Sequence, residues 1–269
     1  MIKKLKLLIK KNLYIYFNCI TNLLFFFRIS TNKLKLSKTI KVRNVTISFE
    51  CDNLYELRRW LLLSIDKNEP DTLNWIDNFK KKSIFFDVGA YIGNYSLYAS
   101  KKGHKVFSFE PETNSFAHLI MNVKLNNLNV SCFNFPIADR MKFNLFNINN
   151  GFSAGESDHQ FGGVVSMNNC KFNPTLSYGM FAYSIDYLML KKILPIPDYL
   201  KIDVDGIEED VLKGCKNLFM LKKDISVMCE INNGKKFDKI INYFKKYNFI
   251  LKKPLNDKNI GNFFFSKKN

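Results

Sequence analysis

The stretch Ile84-Phe85-Phe86-Asp87-Val88-Gly89-Ala90-Tyr91-Ile92-Gly93 decides the fold of this chain. An apolar, aromatic run leads into an acid, then Gly-x-x-x-Gly, then a helix-like stretch from Asn94 to Lys101. Such a run reads as a strand buried on both faces of a parallel sheet. The two glycines would let a ligand approach the backbone at the strand's carboxyl end. The spacing is not Gly-x-Gly-x-x-Gly, the dinucleotide fingerprint. The plain alternative is an ordinary strand, glycine turn and helix in an α/β domain.

The next segments extend the pattern. Lys105 to Glu110 is a second strand-like run ending in an acid, and Glu110 follows Asp87 by 23 residues. That is close to the ~20-residue offset at which an acid meets a ribose diol in doubly wound folds. A carboxylate there can accept from both hydroxyls. Asp87 stands where a carboxylate can meet a cationic amino acid, so S-adenosylmethionine suits the pair better than a nicotinamide dinucleotide. A third run, Val130 to Phe135, leads to Asp139, which could accept from an adenine amino group or form a solvated turn pair with Arg140.

A fourth run, Asp198 to Glu208, places Lys201, Asp203 and Asp205 on one side of a strand by period two. Three ionisable groups on one strand face are costly to bury unless paired or functional. Asp205 and Glu208 also read as a capping box for a helix from Ile207 to Met220. Lys201 and Asp203 have no such structural explanation, and we take them as catalytic candidates.

These residues together resemble the FkbM-type S-adenosylmethionine-dependent methyltransferases, from about Glu69 to the C-terminus. The matching pieces are Asp87-Val88-Gly89-Ala90-x-Ile92-Gly93, Phe109-Glu110-Pro111, Ile137-Ala138-Asp139, Ser184 to Leu188, and Lys201-Ile202-Asp203-x-Asp205-Gly206-x-Glu208 running on to Val211-Leu212-Lys213-Gly214. Asp205 stands where the family more often has Glu. Met228-Cys229-Glu230-Ile231 also resembles the family's strand ending in Glu. The resemblance implies a Rossmann-like class I methyltransferase fold and, usually, O-methylation of a sugar or other small-molecule hydroxyl. It implies donor contacts at Asp87, Gly89, Ala90, Ile92, Gly93, Glu110 and Asp139, with Asp203 and Lys201 at the chemistry.

The remaining elements fit an α/β sheet. Val45 to Phe49 reads as a short strand and Leu54 to Ile65 as an amphipathic helix. Glu69-Pro70-Asp71 reads as a turn before a helix from Leu73 to Phe79, and Ser115 to Leu125 as a helix. Asn147 to Gly163, rich in Gly, Asn and Ser, reads as a mobile loop or hairpin. A helix from Lys235 to Tyr247 and strands Phe249 to Lys253 and Asn262 to Ser266 complete a seven-stranded, mostly parallel sheet with a reversed last strand. We expect a basic amphipathic segment over residues 1–45 and a catalytic domain over 46–269. His159 is an outside candidate for a base.

Charge and cysteine content narrow the setting. The net charge is +17, yet no acid precedes Glu50 while eleven Lys or Arg do. The excess thus sits in the N-terminal tail rather than across a binding face, which argues against nucleic acid as the partner. No Asn/Asp-Pro-Pro-Tyr/Phe block for amino methylation is present, so a nucleic-acid methyltransferase is the weaker alternative. A non-catalytic scaffold is another, and the intact Asp87, Gly89, Gly93, Glu110 and Asp203 oppose it. Apolar residues from Leu5 to Phe27 recur at helical spacing, and the uncharged run Asn12 to Phe27 is short of a membrane span. No small-residue cleavage site follows it. The tail either lies on an anionic membrane surface or packs on the catalytic domain. Six cysteines without a Cys-x-x-Cys pair suggest reduced thiols in a cytoplasmic protein. Three scattered histidines give no metal cluster. The acceptor is not written in the sequence.

Overall fold

The computed structural model describes residues 36–51, 69–149, 159–165, 171–231, 234–253 and 260–267. The chain divides into two units. One comprises residues 1–38 and 49–63, of which 36–38 and 49–51 are described; the other comprises 39–48 and 64–269 and carries everything discussed below. The boundary expected at residue 45 therefore falls inside the hairpin of β1 (Leu36–Val42) and β2 (Val45–Cys51). The expected helices within 1–45 and 54–65 lie outside the described residues.

The second unit is built on a seven-stranded sheet. In chain order its elements are α1 (Pro70–Asp77), β3 (Ile84–Val88), α2 (Asn94–Lys101), β4 (Lys105–Phe109), α3 (Thr113–Leu125) and β5 (Val130–Phe133). A three-stranded antiparallel sheet follows, of β6 (Lys142–Ile148), β7 (Gln160–Phe161) and β8 (Leu176–Ala182). Then come α4 (Ile185–Leu190), β9 (Tyr199–Ile202), α5 (Glu208–Lys213), α6 (Lys216–Leu221), β10 (Ser226–Ile231), α7 (Gly234–Lys246), β11 (Phe249–Lys253) and β12 (Gly261–Lys267). The sheet order is β11-β12-β10-β9-β3-β4-β5, with β12 antiparallel to both neighbours. This is the expected class I methyltransferase architecture with its one reversed strand. After β3 the chain winds outward through β4 and β5, then returns to lay β9 on the other side of β3. Ligands of open α/β sheets bind at the carboxyl ends beside that switch.

Period two divides the central strands between two layers. Phe86, Val88, Leu200, Ile202, Val227 and Cys229 face the core shared with α4 to α7. Phe85, Tyr199 and Phe264 face the other layer, where the Trp75 ring of α1 touches all three. Asp87, Lys201 and Glu230 share the parity of this second set, so the register itself groups them at one edge.

Four elements differ from the sequence reading. Proline at the first helical position starts α1 at Pro70 rather than Leu73, because its missing N–H needs no partner there. The stretch from Asn147 to Gly163 is not wholly a loop: Asn147 and Ile148 end β6, and Gln160-Phe161 forms β7. The helix expected from 207 to 220 breaks into α5 and α6 at Gly214, where an added Cβ would stand 2.1 Å from the Ala138 carbonyl oxygen. Ile207, not Asp205, occupies the N-cap of α5, so the expected capping box is absent, although the Gly206 N–H does donate to Glu208 Oε1 at 2.9 Å.

The small sheet leaves the main one and returns at neighbouring points. Ile137 bridges Tyr183, the Ala138 N–H donates to the Tyr183 carbonyl at 2.9 Å, and the Tyr183 N–H donates to the Pro136 carbonyl at 3.2 Å. Its inner face buries Phe146, Ile148, Phe161 and Ala182.

Candidate active site

The glycine loop after β3 is shaped by the protein's own backbone. Gly89 has φ of +79°, and a Cβ there would lie 1.7 Å from the Asp203 carbonyl oxygen. Only glycine lets the turn after β3 and the turn after β9 come so close. Gly93, at φ of +97°, is packed against the Leu119 side chain, 2.7 Å from where a Cβ would be. The N–H groups of Gly89 and Ala90 both donate to the Phe109 carbonyl at 3.0 Å, fixing the loop to the end of β4. Ala90 and Ile92 are buried. The close approach read from the glycines is therefore that of chain to chain.

Glu110 lies just past β4 and meets this loop. Its Oε2 accepts the Tyr91 N–H at 2.8 Å and its Oε1 accepts the Glu112 N–H at 2.8 Å. Burial outweighs these two bonds and pushes the carboxyl up to about 8. Each oxygen keeps one further hydrogen-bonding position for a ligand hydroxyl, as donor on the protonated oxygen and as acceptor on the other. The structure thus brings together the loop 89–93 and Glu110, as expected.

Across the switch, Lys201 is the centre of a buried charge cluster. The side chain is 1% exposed, its Nζ donates to Asp203 Oδ2 at 2.7 Å, and Asp87 Oδ1 lies 3.4 Å away. The Gly89 carbonyl, at 3.5 Å, and the Tyr95 ring, at 5.2 Å, complete its surroundings. Burial alone would depress the ammonium, but Asp203 and Asp87 hold it above its ordinary value. For Asp203 the balance runs the same way: burial would raise the carboxyl, yet Lys201, helped by hydrogen bonds from Glu230 and Lys201, holds it below the usual range. Asp203 keeps 30% of its side chain exposed, so an ionised carboxylate on a buried ammonium faces outward.

Asp87 is wholly buried, and burial raises its carboxyl above the usual range in spite of Lys201. Its Oδ2 accepts the Ser96 hydroxyl at 2.6 Å, while Oδ1 accepts no hydrogen bond. Asp139 stands apart from this cluster in ion pairs with Lys142, at 2.6 Å, and Arg140, at 3.1 Å, so the turn-pair geometry is present. His159 accepts the Asn149 N–H at 3.2 Å and lies against the Phe146 ring, contacts within the small sheet. Among the described residues no His, Cys, Asp or Glu grouping could hold a metal ion.

Several members escaped the sequence reading. Glu69 bonds the Tyr95 hydroxyl over the cluster and accepts Asn262 Nδ2 at 2.7 Å. Glu230, already read as a strand-end acid, lies on the strand next to that of Asp203. Gln160 of β7 donates to the Asp205 carbonyl at 2.9 Å, and Lys236 of α7 donates to the Gly206 carbonyl at 2.6 Å, so two elements clamp the turn after β9. The acid closing β10 was visible as a strand-end residue; the others depend on contacts that no local pattern carries.

Seven strands in this order, with a glycine turn, an acid after β4 and a carboxylate at the switch, define a class I methyltransferase. The FkbM methyltransferase domain matches residues 87–251, and the chain belongs to that family. A curated relative, the hexuronic acid methyltransferase AglP of Haloferax volcanii, is 24% identical over 209 residues, covering 77% of this chain and 79% of the relative. Among solved structures, a methyltransferase FkbM from Methylobacillus flagellatus KT is similar at 14% identity and a TM-score of 0.47, over 70% of this chain and 44% of that one. A precorrin-6y C5,15-methyltransferase from Geobacter metallireducens GS-15 is similar at 13% identity and a TM-score of 0.47, over 77% and 91% of the two chains.

S-adenosylmethionine is the cofactor of this class. The residues present fit it on two counts. Two carboxyl groups, Asp87 and Asp203, flank one ammonium, Lys201, so the site carries no surplus positive charge against a cationic sulfonium. Glu110, just past β4, has hydrogen-bonding capacity left on both oxygens beyond its two backbone bonds, which suits a pair of ligand hydroxyls.

Proposed function

We propose that this protein is an S-adenosylmethionine-dependent O-methyltransferase acting on a hydroxyl of a sugar or glycan. One observation carries the reading: at the switch point a buried Lys201 presents an ionised, part-exposed Asp203. The name of the relative AglP supports a sugar acceptor. When bound, S-adenosylmethionine supplies a methyl carbon made electrophilic by its positively charged sulfur. We assign its ribose to Glu110 and its binding surface to the loop of Gly89, Ala90, Ile92 and Gly93. Asp87 contributes charge from beneath that loop, and Asp139 is the candidate for the adenine amino group, with Lys142 competing for one oxygen.

Asp203 accepts the hydrogen bond of the acceptor hydroxyl and so aims its oxygen at the methyl carbon. As that oxygen gains a bond it becomes strongly acidic, so even a carboxylate of depressed basicity takes the proton. Lys201 keeps its charge throughout and holds Asp203 in one orientation.

The test is Asp203→Asn, which keeps shape and removes charge. Turnover should fall roughly 10²–10⁴-fold, the range of a lost general base, with a far smaller loss of donor affinity by calorimetry. A hexuronic acid also offers a carboxylate, which needs no base. An ether product survives mild alkali, whereas an ester does not. An alkali-labile product formed at near-normal rate by Asp203→Asn would overturn the hydroxyl reading.

A further inference from the structure

Two hydrogen-bond donors, one from the small sheet and one from α7, converge on the turn that follows Asp203. The turn is tight, with the Gly206 N–H donating to the Val204 carbonyl at 2.8 Å. Gly206 has φ of +88°, and the place of a Cβ there lies 3.0 Å from Gln160 Nε2 and 3.7 Å from Lys236 Nζ. Glycine thus keeps open a spot walled by both donors. Gln160 is buried and held in one orientation: its Oε1 accepts the Val165 N–H at 2.9 Å, and its Nε2 donates to the Asp205 carbonyl at 2.9 Å. An amide nitrogen carries two protons. The second has no partner among the described residues. Lys236 donates to the Gly206 carbonyl at 2.6 Å. Its ion-pair partner Glu208 stands 3.6 Å away, beyond hydrogen-bond reach, so the ammonium has donors left over.

We propose that Gln160 and Lys236 form a second acceptor subsite, which binds the carboxylate of an acidic sugar while Asp203 takes one of its hydroxyls. The inference deepens the reading of a sugar acceptor and rests on it for the group that is methylated, though not for the binding itself. A carboxylate has two accepting oxygens, and the subsite offers two donors from different elements. A bond from an ammonium to a carboxylate is also roughly twice as strong as one between neutral groups. Asp203 and Gly206 are three Cα steps apart, which bounds their separation at about 11 Å. The side chains reaching in from each end narrow that gap to the scale of one sugar ring. Asp203 and Lys236 keep 30% and 29% of their side chains exposed, so both are open to a ligand arriving from solvent. A carboxylate held at Lys236 is kept off the methyl carbon, so the hydroxyl is the group delivered to it. The subsite makes and breaks no covalent bond.

Equilibrium binding separates this subsite from the reaction. A methyl glycoside and the matching methyl glycosiduronate differ only in whether the sixth carbon is a neutral alcohol or a carboxylate. Both are titrated, in the gluco, galacto and manno series, into the full chain with S-adenosylhomocysteine, and binding is followed by NMR of the sugar. In at least one series the uronate should bind about tenfold or more tightly than its neutral partner, and the ratio should shrink as salt rises. Lys236→Gln retains a donor for the Gly206 carbonyl but removes the charge, so the preference should disappear, while Lys236→Arg should keep most of it. A lysine that only clamps the turn gives a different result: Lys236→Gln would weaken both sugars alike and leave their ratio unchanged. That outcome, or a wild type without preference in every series, overturns the proposal. If Lys236→Gln does not fold, the wild-type ratio and its salt dependence decide. A wild type that prefers the uronate yet methylates no sugar hydroxyl would remove the proposed function and leave the subsite standing. Methylation of neutral and acidic sugars with equal kcat/KM would do the reverse.

Discussion

At the scale of single residues, the strictest requirements come from close packing and burial rather than from any ligand. Gly89 combines a left-handed backbone with a place where a Cβ would overlap the Asp203 carbonyl. Gly89→Ala should cost upward of ~3 kcal/mol by urea denaturation, since strain and overlap add; a midpoint equal to the wild type would show that the turn after β9 yields freely. Glu110 supplies a pH test. Its folded carboxyl holds its proton up to about 8, against an ordinary value of 4.5. Between those values the folded state binds more protons than the unfolded one, so rising pH weakens the fold. Glu110→Gln has no such group, and its stability relative to the wild type should grow from about pH 4.5 to about pH 8 and level off above. A difference that is flat with pH would show an ordinary, solvated carboxylate. Both positions were legible in the sequence as candidate site residues, because a strand-end glycine and an acid after the next strand are local patterns. The reason Gly89 must be glycine was not legible, since its neighbour Asp203 is far away in the chain.

At the scale of elements, the main sheet follows from apolar runs with glycine turns, and the departures have identifiable causes. Residues 207–220 have a helical pattern, and the break falls at Gly214, where the Ala138 carbonyl leaves no room for a side chain. Asp186 then organises the second half: its Oδ1 accepts the Leu218 N–H at 2.8 Å and its Oδ2 the Asn217 N–H at 2.7 Å, at the start of α6. Asp186→Ala should cost ~1–2 kcal/mol in chemical denaturation, the effect of a lost helix cap. No loss would mean that water replaces the carboxylate at that helix start. The strand β6, Lys-Phe-Asn-Leu-Phe-Asn-Ile, breaks its alternation at Leu145-Phe146, and the antiparallel partner β8 fixes its ends. Its outer face keeps Phe143 60% and Phe181 50% exposed, in edge-to-face contact, so burial could not have marked it out.

At the scale of the whole molecule, charge is spread unevenly along the chain. Residues 1–35 carry eight Lys or Arg and no acid. Because β1 begins at Leu36, a cut after residue 35 removes no described residue. That truncation should keep donor affinity in calorimetry and lose low-salt sedimentation with anionic vesicles. A full-length protein that fails to sediment removes the membrane role from the tail. The switch-point site was legible as a list of strand-end residues, while the Asp203–Glu230 and Glu69–Tyr95 pairs were not, since they join neighbours that only the folded sheet creates. The path of the chain around the small sheet has one more consequence. Departure and return are stitched together at Pro136–Ala138 and Tyr183, so everything between them behaves as a cassette on a fixed socket. Descendants of this gene can lengthen, trim or replace that cassette without disturbing the strands that hold the donor. New acceptors are thus open to evolution at the cost of re-forming a few contacts, among them the bonds from Gln160 to the Asp205 carbonyl, from Tyr178 to the Pro111 carbonyl and from Lys142 to Asp210.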